Sequence, residues 1–243
     1  MTLALIDERM SLAARTALEK CGFHTLPVPA SPRLPEATRS HPDMLLFRLG
    51  NEIFTEERYL IENESFFKEL LSLVPWLKII TISESLSAQY PFDCVLNLLA
   101  MGDRLYLKID SVSHTILSAA ERVGLRMLAV KQGYPACTVL ALGNSHAITA
   151  DRGMARALAA DGVEVLEIRN EGILLPPYDY GFIGGAAGVY GNKVYFIGDC
   201  ATHPDGKSIH AFIEAAGYTV VSLDCGKLRD LGRIIFIDTE KQD

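Results

Sequence analysis

The sequence predicts an α/β fold of five β-β-α-β units closed into a ring. Three observations carry this expectation. First, one pattern recurs along the chain: an apolar strand, a tight turn, a second strand, a helix, then a short β-rich strand. Second, each second strand is followed by an acid, Asp7, Glu56, Asp110, Asp151 or Asp199, at spacings of 49, 54, 41 and 48 residues. Third, the path from Asp199 through the two termini back to Asp7 is 51 residues, inside the same range. A ring of similar units requires that value and a linear array does not.

The first unit is split between the termini. Residues 3–6 read as a strand ending at Asp7, residues 12–20 as a helix stopped at Gly22, and residues 23–28 as a strand. Its missing first strand is expected at residues 233–237, and pairing the two ends removes two exposed sheet edges. In the second unit the strands are 44–49, 53–55 and 77–82, with turn Gly50-Asn51 and a helix at 66–73. The third has strands 95–101, 105–109 and 125–130, turn Gly102-Asp103 and a helix at 112–123. The fourth has strands 137–142, 146–149 and 163–168, with turn Gly143-Asn144 between the first two. Asp151 caps its helix at 154–160, and Gly162 ends it. The fifth has strands 181–189, 194–197 and 218–223, turn Gly191-Asn192 and a helix at 207–216. Gly, Asn and Asp suit these turns because they tolerate positive φ. The whole chain, 1–243, is thus expected to be one domain. An ordinary doubly wound α/β fold explains the helices and single strands, but not a strand pair before each helix.

Composition narrows the functional classes. With 49% apolar and 22% charged residues over 243 positions, the chain can bury a sizeable core. A net charge of −7 without a basic cluster argues against nucleic-acid binding. No stretch is long and apolar enough for a membrane span, and no secretory leader is recognisable, so a cytoplasmic protein is expected. Five scattered cysteines without a CxxC pair predict free thiols and no metal. Neither GxGxxG at a strand–helix junction nor GxxxxGK[ST] is present, so no cofactor is expected.

Five such units in a ring resemble the pentein propeller. This is the fold of arginine deiminases, amidinotransferases and dimethylarginine hydrolases, and of a ribosome anti-association factor that is not an enzyme. The stretch His41-Pro42-Asp43-Met44-Leu45-Leu46-Phe47, with Phe54 beyond the turn, resembles the HLDxVF segment carrying a deiminase's catalytic His. Thr149-Ala150-Asp151-Arg152-Gly153 resembles the RTNxxG junction. The run from Gly181 to Gly188 stands where those enzymes carry an EGGD strand, here without its acids. As a whole the chain most resembles a bacterial subgroup of this fold, DUF6873, which carries a similar GFIGG stretch late in the sequence. The resemblance also exposes a departure. Deiminases place the nucleophilic Cys on the final strand, in a pattern like GxRCMS. The corresponding run here is Leu231-Gly232-Arg233-Ile234-Ile235-Phe236, with Ile234 in the nucleophile's place. Arginine deimination by the family's thiolate route is therefore not expected.

In such a ring the residues that open each first strand meet at one mouth. These include His41 and Asp43, Asp93 and Cys94, Tyr134 and Cys137, and residues 179–181, with Pro42, Pro91, Pro135 and Pro177 beside them. Asp43 and Asp93 could accept paired N–H bonds from a guanidinium, or could simply cap turns. His41 suits general acid–base work, or is a surface His before a Pro turn. Cys137 is the candidate alternative nucleophile, with Lys131 near enough in sequence to favour a thiolate; otherwise it is a core Cys. Gly184 and Gly185, inside a strand pattern, imply close backbone approach to a ligand or to neighbouring strands. Two function classes follow: an enzyme or degenerate enzyme binding a small guanidino or amino-acid-like ligand, and a non-catalytic pentein that binds another protein.

Overall fold

Alternation of β-branched and aromatic runs with amphipathic segments produces a regular series of elements, described for residues 1–241 by a computed structural model. Residues 242–243 of the expected domain lie outside the described residues. The chain opens with β1 (Thr2–Asp7), α1 (Leu12–Lys20) and β2 (Phe23–Val28). The Ser11 hydroxyl caps α1 by accepting from Ala14 N. A loop leads to α2 (Pro42–Leu45), β3 (Phe47–Leu49), β4 (Glu52–Glu56), α3 (Glu57–Glu62), α4 (Glu64–Leu73) and β5 (Lys78–Ile82). The third unit is β6 (Leu99–Met101), β7 (Arg104–Leu107), α5 (His114–Arg122) and β8 (Arg126–Ala129). Then come α6 (Pro135–Thr138), β9 (Val139–Leu142), β10 (His146–Thr149), α7 (Arg152–Ala160) and β11 (Glu164–Glu167). A short β12 (Ile173–Leu174) precedes β13 (Ala187–Tyr190), β14 (Lys193–Phe196), α8 (Gly206–Ala215) and β15 (Thr219–Ser222). The described chain ends with β16 (Leu228–Arg229) and β17 (Ile235–Asp238).

Five three-stranded sheets result, ordered β17-β1-β2, β3-β4-β5, β6-β7-β8, β9-β10-β11 and β13-β14-β15. In each, an antiparallel pair is followed by a parallel strand reached through a helix. The hairpin glycines Gly50, Gly102, Gly143 and Gly191 all take φ between 57° and 63°, a region costly for other residues. The expected pairing of the chain ends is present: β1 and β17 run antiparallel, with Leu3 opposite Ile237 and Leu5 opposite Ile235. Thr239 N donates to Met1 O, and Trp76 Nε1 donates to Thr239 O. The small sheet of β12 and β16 was not expected.

The structure corrects the first strands of four units. Strand was expected from residues 44, 95, 137 and 181; instead β3, β6, β9 and β13 start later. Two of the displaced segments, α2 and α6, are one-turn helices with Pro in the first position. Proline's fixed φ suits that position and its missing N–H costs nothing there. A run of apolar residues does not reveal this, because a buried helical turn and a buried strand look alike over four residues. Asp110 is also misplaced: β7 stops at Leu107, and Asp110 is an exposed turn residue beside Lys108.

Each sheet rests its helices on one face. On α7, Met154, Ala155 and Leu158 are buried, and on α8 Ile209 and Ile213, the spacing of an amphipathic helix. The largest core cluster joins Leu3 and Leu5 of β1 to Phe54 and Phe67, to Leu105, and to Cys137. Separate sheets touch mainly through their first strands and the turns before them, β13 against β17 and β9 and α6 against β6, while α2 packs on β1, the middle strand of the first sheet. No hydrogen-bonded ladder joins one sheet to the next among the described residues. No described helix is long and apolar enough to cross a membrane.

Candidate functional site

The segments preceding the first strands converge. Residues from all five of them, with part of the loop after β2, line a cavity of about 320 Å³: His41, Asp93, Tyr134, Cys137, Asp179 and Asp230 are among its polar groups. Tyr134, Tyr178, Tyr180 and Phe182 supply aromatic wall, with Tyr134 and Phe182 stacked at 6.3 Å between ring centroids. The Tyr134 hydroxyl donates to Asp93 Oδ2 at 2.6 Å, while Asp93 Oδ1 is buried without a partner.

At the base, the two one-turn helices face each other. The Cys137 thiol donates to Asp43 Oδ2 at 2.9 Å. Asn97 ties the helices together: its Oδ1 accepts from Ala136 N at 2.9 Å, and its Nδ2 lies 3.1 Å from Cys137 Sγ and 3.3 Å from Asp43 O. His41 is completely buried, and neither ring nitrogen has a hydrogen-bond partner. Asp230 Oδ1 lies 3.8 Å from Nδ1, and Asp7 Oδ2 lies 3.9 Å from Nε2. Asp230 is itself fixed, accepting from Phe182 N at 2.9 Å and Gly232 N at 3.1 Å.

Burial governs the charge state of this base. It raises the Asp43 carboxyl to about 6, against which the Cys137 hydrogen bond and the Arg233 charge pull down. Burial, reinforced by the Asp43 charge, raises Asp230 to about 7. Burial lowers the His41 imidazole to about 3, so the ring is neutral at physiological pH. The thiol is pushed well above its ordinary range by burial and then by Asp43 and Asp230. Cys137 therefore rests as a protonated donor, not as a thiolate.

Several expected site residues meet here. His41, Asp93 and Cys137 line the cavity. Asp43 stands behind Cys137 and lines a second cavity, of about 220 Å³, together with Arg233. Lys131 does not reach the site; it borders a separate cleft near Asp151 and Arg156, so it cannot activate the thiol. Gly184 and Gly185 are not inside a strand but in the turn before β13. A Cβ on Gly184 would meet the carbonyls of Ala136, Val139 and Cys137, and one on Gly185 the Asp230 carboxylate. Their close approach is to the protein's own segments, with Gly185 N donating to Cys137 O at 3.0 Å, rather than to a ligand. Cys94 bonds Pro91 O, outside the cavity lining.

Asp230, Asn97 and Phe182 were not anticipated. Asp230 had a signal: it precedes the closing strand β17 as Asp43 precedes β3. The pattern of the other units, extended to the split one, points to it. Asn97 had none, since an amide before a strand is common.

The fold is shared with known structures. Dimethylarginine dimethylaminohydrolase from Pseudomonas aeruginosa, solved with citrulline, superposes with a TM-score of 0.56 at 15% identity, covering 92% of this chain and 91% of that one. The agmatine deiminase of C. jejuni gives 0.54 at 10% identity over 93% of this chain and 78% of that one. Inosamine-phosphate amidinotransferase from Streptomyces griseus gives 0.53 at 14% identity over 94% and 78%. At these identities the likeness is one of fold, the pentein fold of guanidino-modifying enzymes. No curated protein matches the sequence. A family model does, over residues 5–235, and the chain accordingly belongs to DUF6873, a family of unknown function.

Proposed function

We propose that this protein binds a small ligand with a planar cationic head, of guanidino or amidino type, in the aromatic-walled cavity. The observation that carries the reading is Asp93: its Oδ1 is buried and unpartnered in a cavity that also holds Asp179 and Asp230. A guanidinium offers paired N–H donors to such a carboxylate and a flat face to Tyr134 and Phe182. A cavity of about 320 Å³ suits a molecule of amino-acid size. The structural neighbours, which include enzymes acting on dimethylarginine and agmatine, support the same ligand class. Deimination is not part of the proposal, because Ile234, where the family resemblance puts the nucleophile, is a buried core residue, and the only thiol at the site, Cys137, rests protonated.

We also infer that the five sheets form one ring around this site, making the chain a single domain. Support comes from the second cavity, lined by Phe47, Ala100, Ala136, Val189 and Ile235, one residue from each unit. Arg48 of β3 donates to Phe236 O of β17 at 2.9 Å, linking the second unit to the first.

Calorimetric titration tests the ligand. Arginine or agmatine is expected to bind at least tenfold more tightly than neutral citrulline, and Asp93→Asn to lower the affinity of the cations by at least tenfold. Arginine is expected to release no citrulline above the buffer rate. Equal affinity for arginine and citrulline, unaffected by Asp93→Asn, overturns the reading.

A further inference from the structure

We propose that His41, Asp43 and Cys137 form a binding site for one zinc-type divalent ion, open on one side to the aromatic cavity. One ligand atom from each residue lies within 4.8 Å of the other two, and all three side chains are buried. Zinc bonds of about 2.0–2.3 Å at tetrahedral angles hold ligand atoms roughly 3.3–3.8 Å apart. The set thus closes on an ion by side-chain shifts on the order of an ångström. The donors are an imidazole nitrogen, a carboxylate oxygen and a sulfur, a mixture that suits zinc or cobalt and not the all-oxygen preference of magnesium or calcium.

A second observation points to a ligand. Both nitrogens of His41 and Asp43 Oδ1 are buried with no hydrogen-bond partner. Native proteins rarely leave such groups unsatisfied, and an ion is one of the few species that satisfies a ring nitrogen and a carboxylate oxygen together. The surroundings match a metal centre as well. Asp230 and Asp7 flank the two ring nitrogens at 3.8 and 3.9 Å, so whichever nitrogen does not ligate has a carboxylate to orient it. Asn97 fixes the spacing of the two short helices that supply the ligands. His41 and Cys137 line the cavity, which leaves a coordination position facing it.

The proposal goes beyond the guanidino reading and does not depend on it. A thiolate and a carboxylate offset the two charges of the ion. Asp93 and Asp179 still give the cavity above it a negative character. The sequence expected these three residues at one mouth but not as ligands of one ion, since Asp43 and Cys137 lie 94 positions apart in different units and their contact is a product of the fold.

Cobalt(II) added to the chelator-treated full-length protein tests the site. One equivalent is expected to give the near-ultraviolet absorption of a cobalt–thiolate bond, and one equivalent of zinc to abolish it and raise Tm. In Cys137→Ser that band is expected to vanish, with circular dichroism confirming that the variant is folded. His41→Ala and Asp43→Asn are expected to weaken cobalt affinity at least tenfold, and Lys131→Met, in the separate cleft, to leave it unchanged. No thiolate band in the folded wild-type protein overturns the site without recourse to any variant. So does a band that survives Cys137→Ser and disappears in Cys21→Ser or Cys225→Ser, the two exposed thiols. Cobalt binding with no arginine or agmatine binding removes the guanidino reading and leaves this one standing; the reverse result does the opposite.

Discussion

His203 shows how one residue can carry a pH response away from the cavity. Its Nδ1 accepts from Asp205 N at 3.0 Å, so the ring is held as the neutral tautomer, with the proton on Nε2. Burial lowers its pKa, and Asp205 opposes that only in part. A base whose folded pKa lies below its unfolded value contributes stability that is present above the unfolded pKa, near 6.5, and is lost as pH falls toward the folded value. His203 therefore contributes a drop in the urea midpoint between about pH 7.5 and 5, opposed by Asp43 and Asp230, whose raised pKa values favour folding as pH falls. In His203→Asn the amide oxygen can still accept from Asp205 N but cannot titrate, so the drop is expected to shrink. An equal drop in both proteins assigns the response to other groups.

At the scale of elements, the site depends on segments that hold no ligand themselves. The turn at Gly184 lies against the backbone of α6 and the start of β9, where an added Cβ meets three carbonyl oxygens. Backbone cannot swing aside as a side chain does, so the turn or the Cys137 helix must move. Gly184→Ala is expected to cost about 1–3 kcal/mol by urea unfolding, the range for overpacking a tight interior. It is also expected to weaken cobalt binding through displacement of Cys137. A loss of stability below about 0.5 kcal/mol, the ordinary size of a surface change, contradicts the packing described.

The whole molecule depends on joining its two ends. β17 supplies the outer strand of the first sheet, and Phe236 and Ile237 are buried there. Full burial of each large apolar side chain contributes roughly 1.5–3 kcal/mol. Losing the strand also exposes one edge of β1, so the deficit is of the same order as a domain's total stability, about 5–15 kcal/mol. A chain truncated after Leu231 is expected to lose cooperative unfolding or to be insoluble. A circular permutant joining the termini by a short linker and cut at the Gly102-Asp103 hairpin tip is expected to fold. If the truncated chain melts cooperatively within a few degrees of the full-length protein, ring closure is excluded.

The sequence by itself determined the repeated unit, its count and the pairing of the chain ends. These are written in local signals: glycine at each hairpin, acids after most of the second strands, helical spacing on α7 and α8. It also singled out His41, Asp43, Asp93 and Cys137, because residues ahead of first strands hold equivalent places in every unit. Only the tertiary structure decided what these residues touch. It put Asp43 behind Cys137 instead of beside it, sent Lys131 to another cleft, turned Gly184 and Gly185 toward protein backbone, and brought Asp230 and Asn97 into the base. The physical reason is reach. Secondary structure depends on neighbours a few residues apart, whereas burial and charge at the site arise between side chains from different units. Their separation in sequence says nothing about their separation in space.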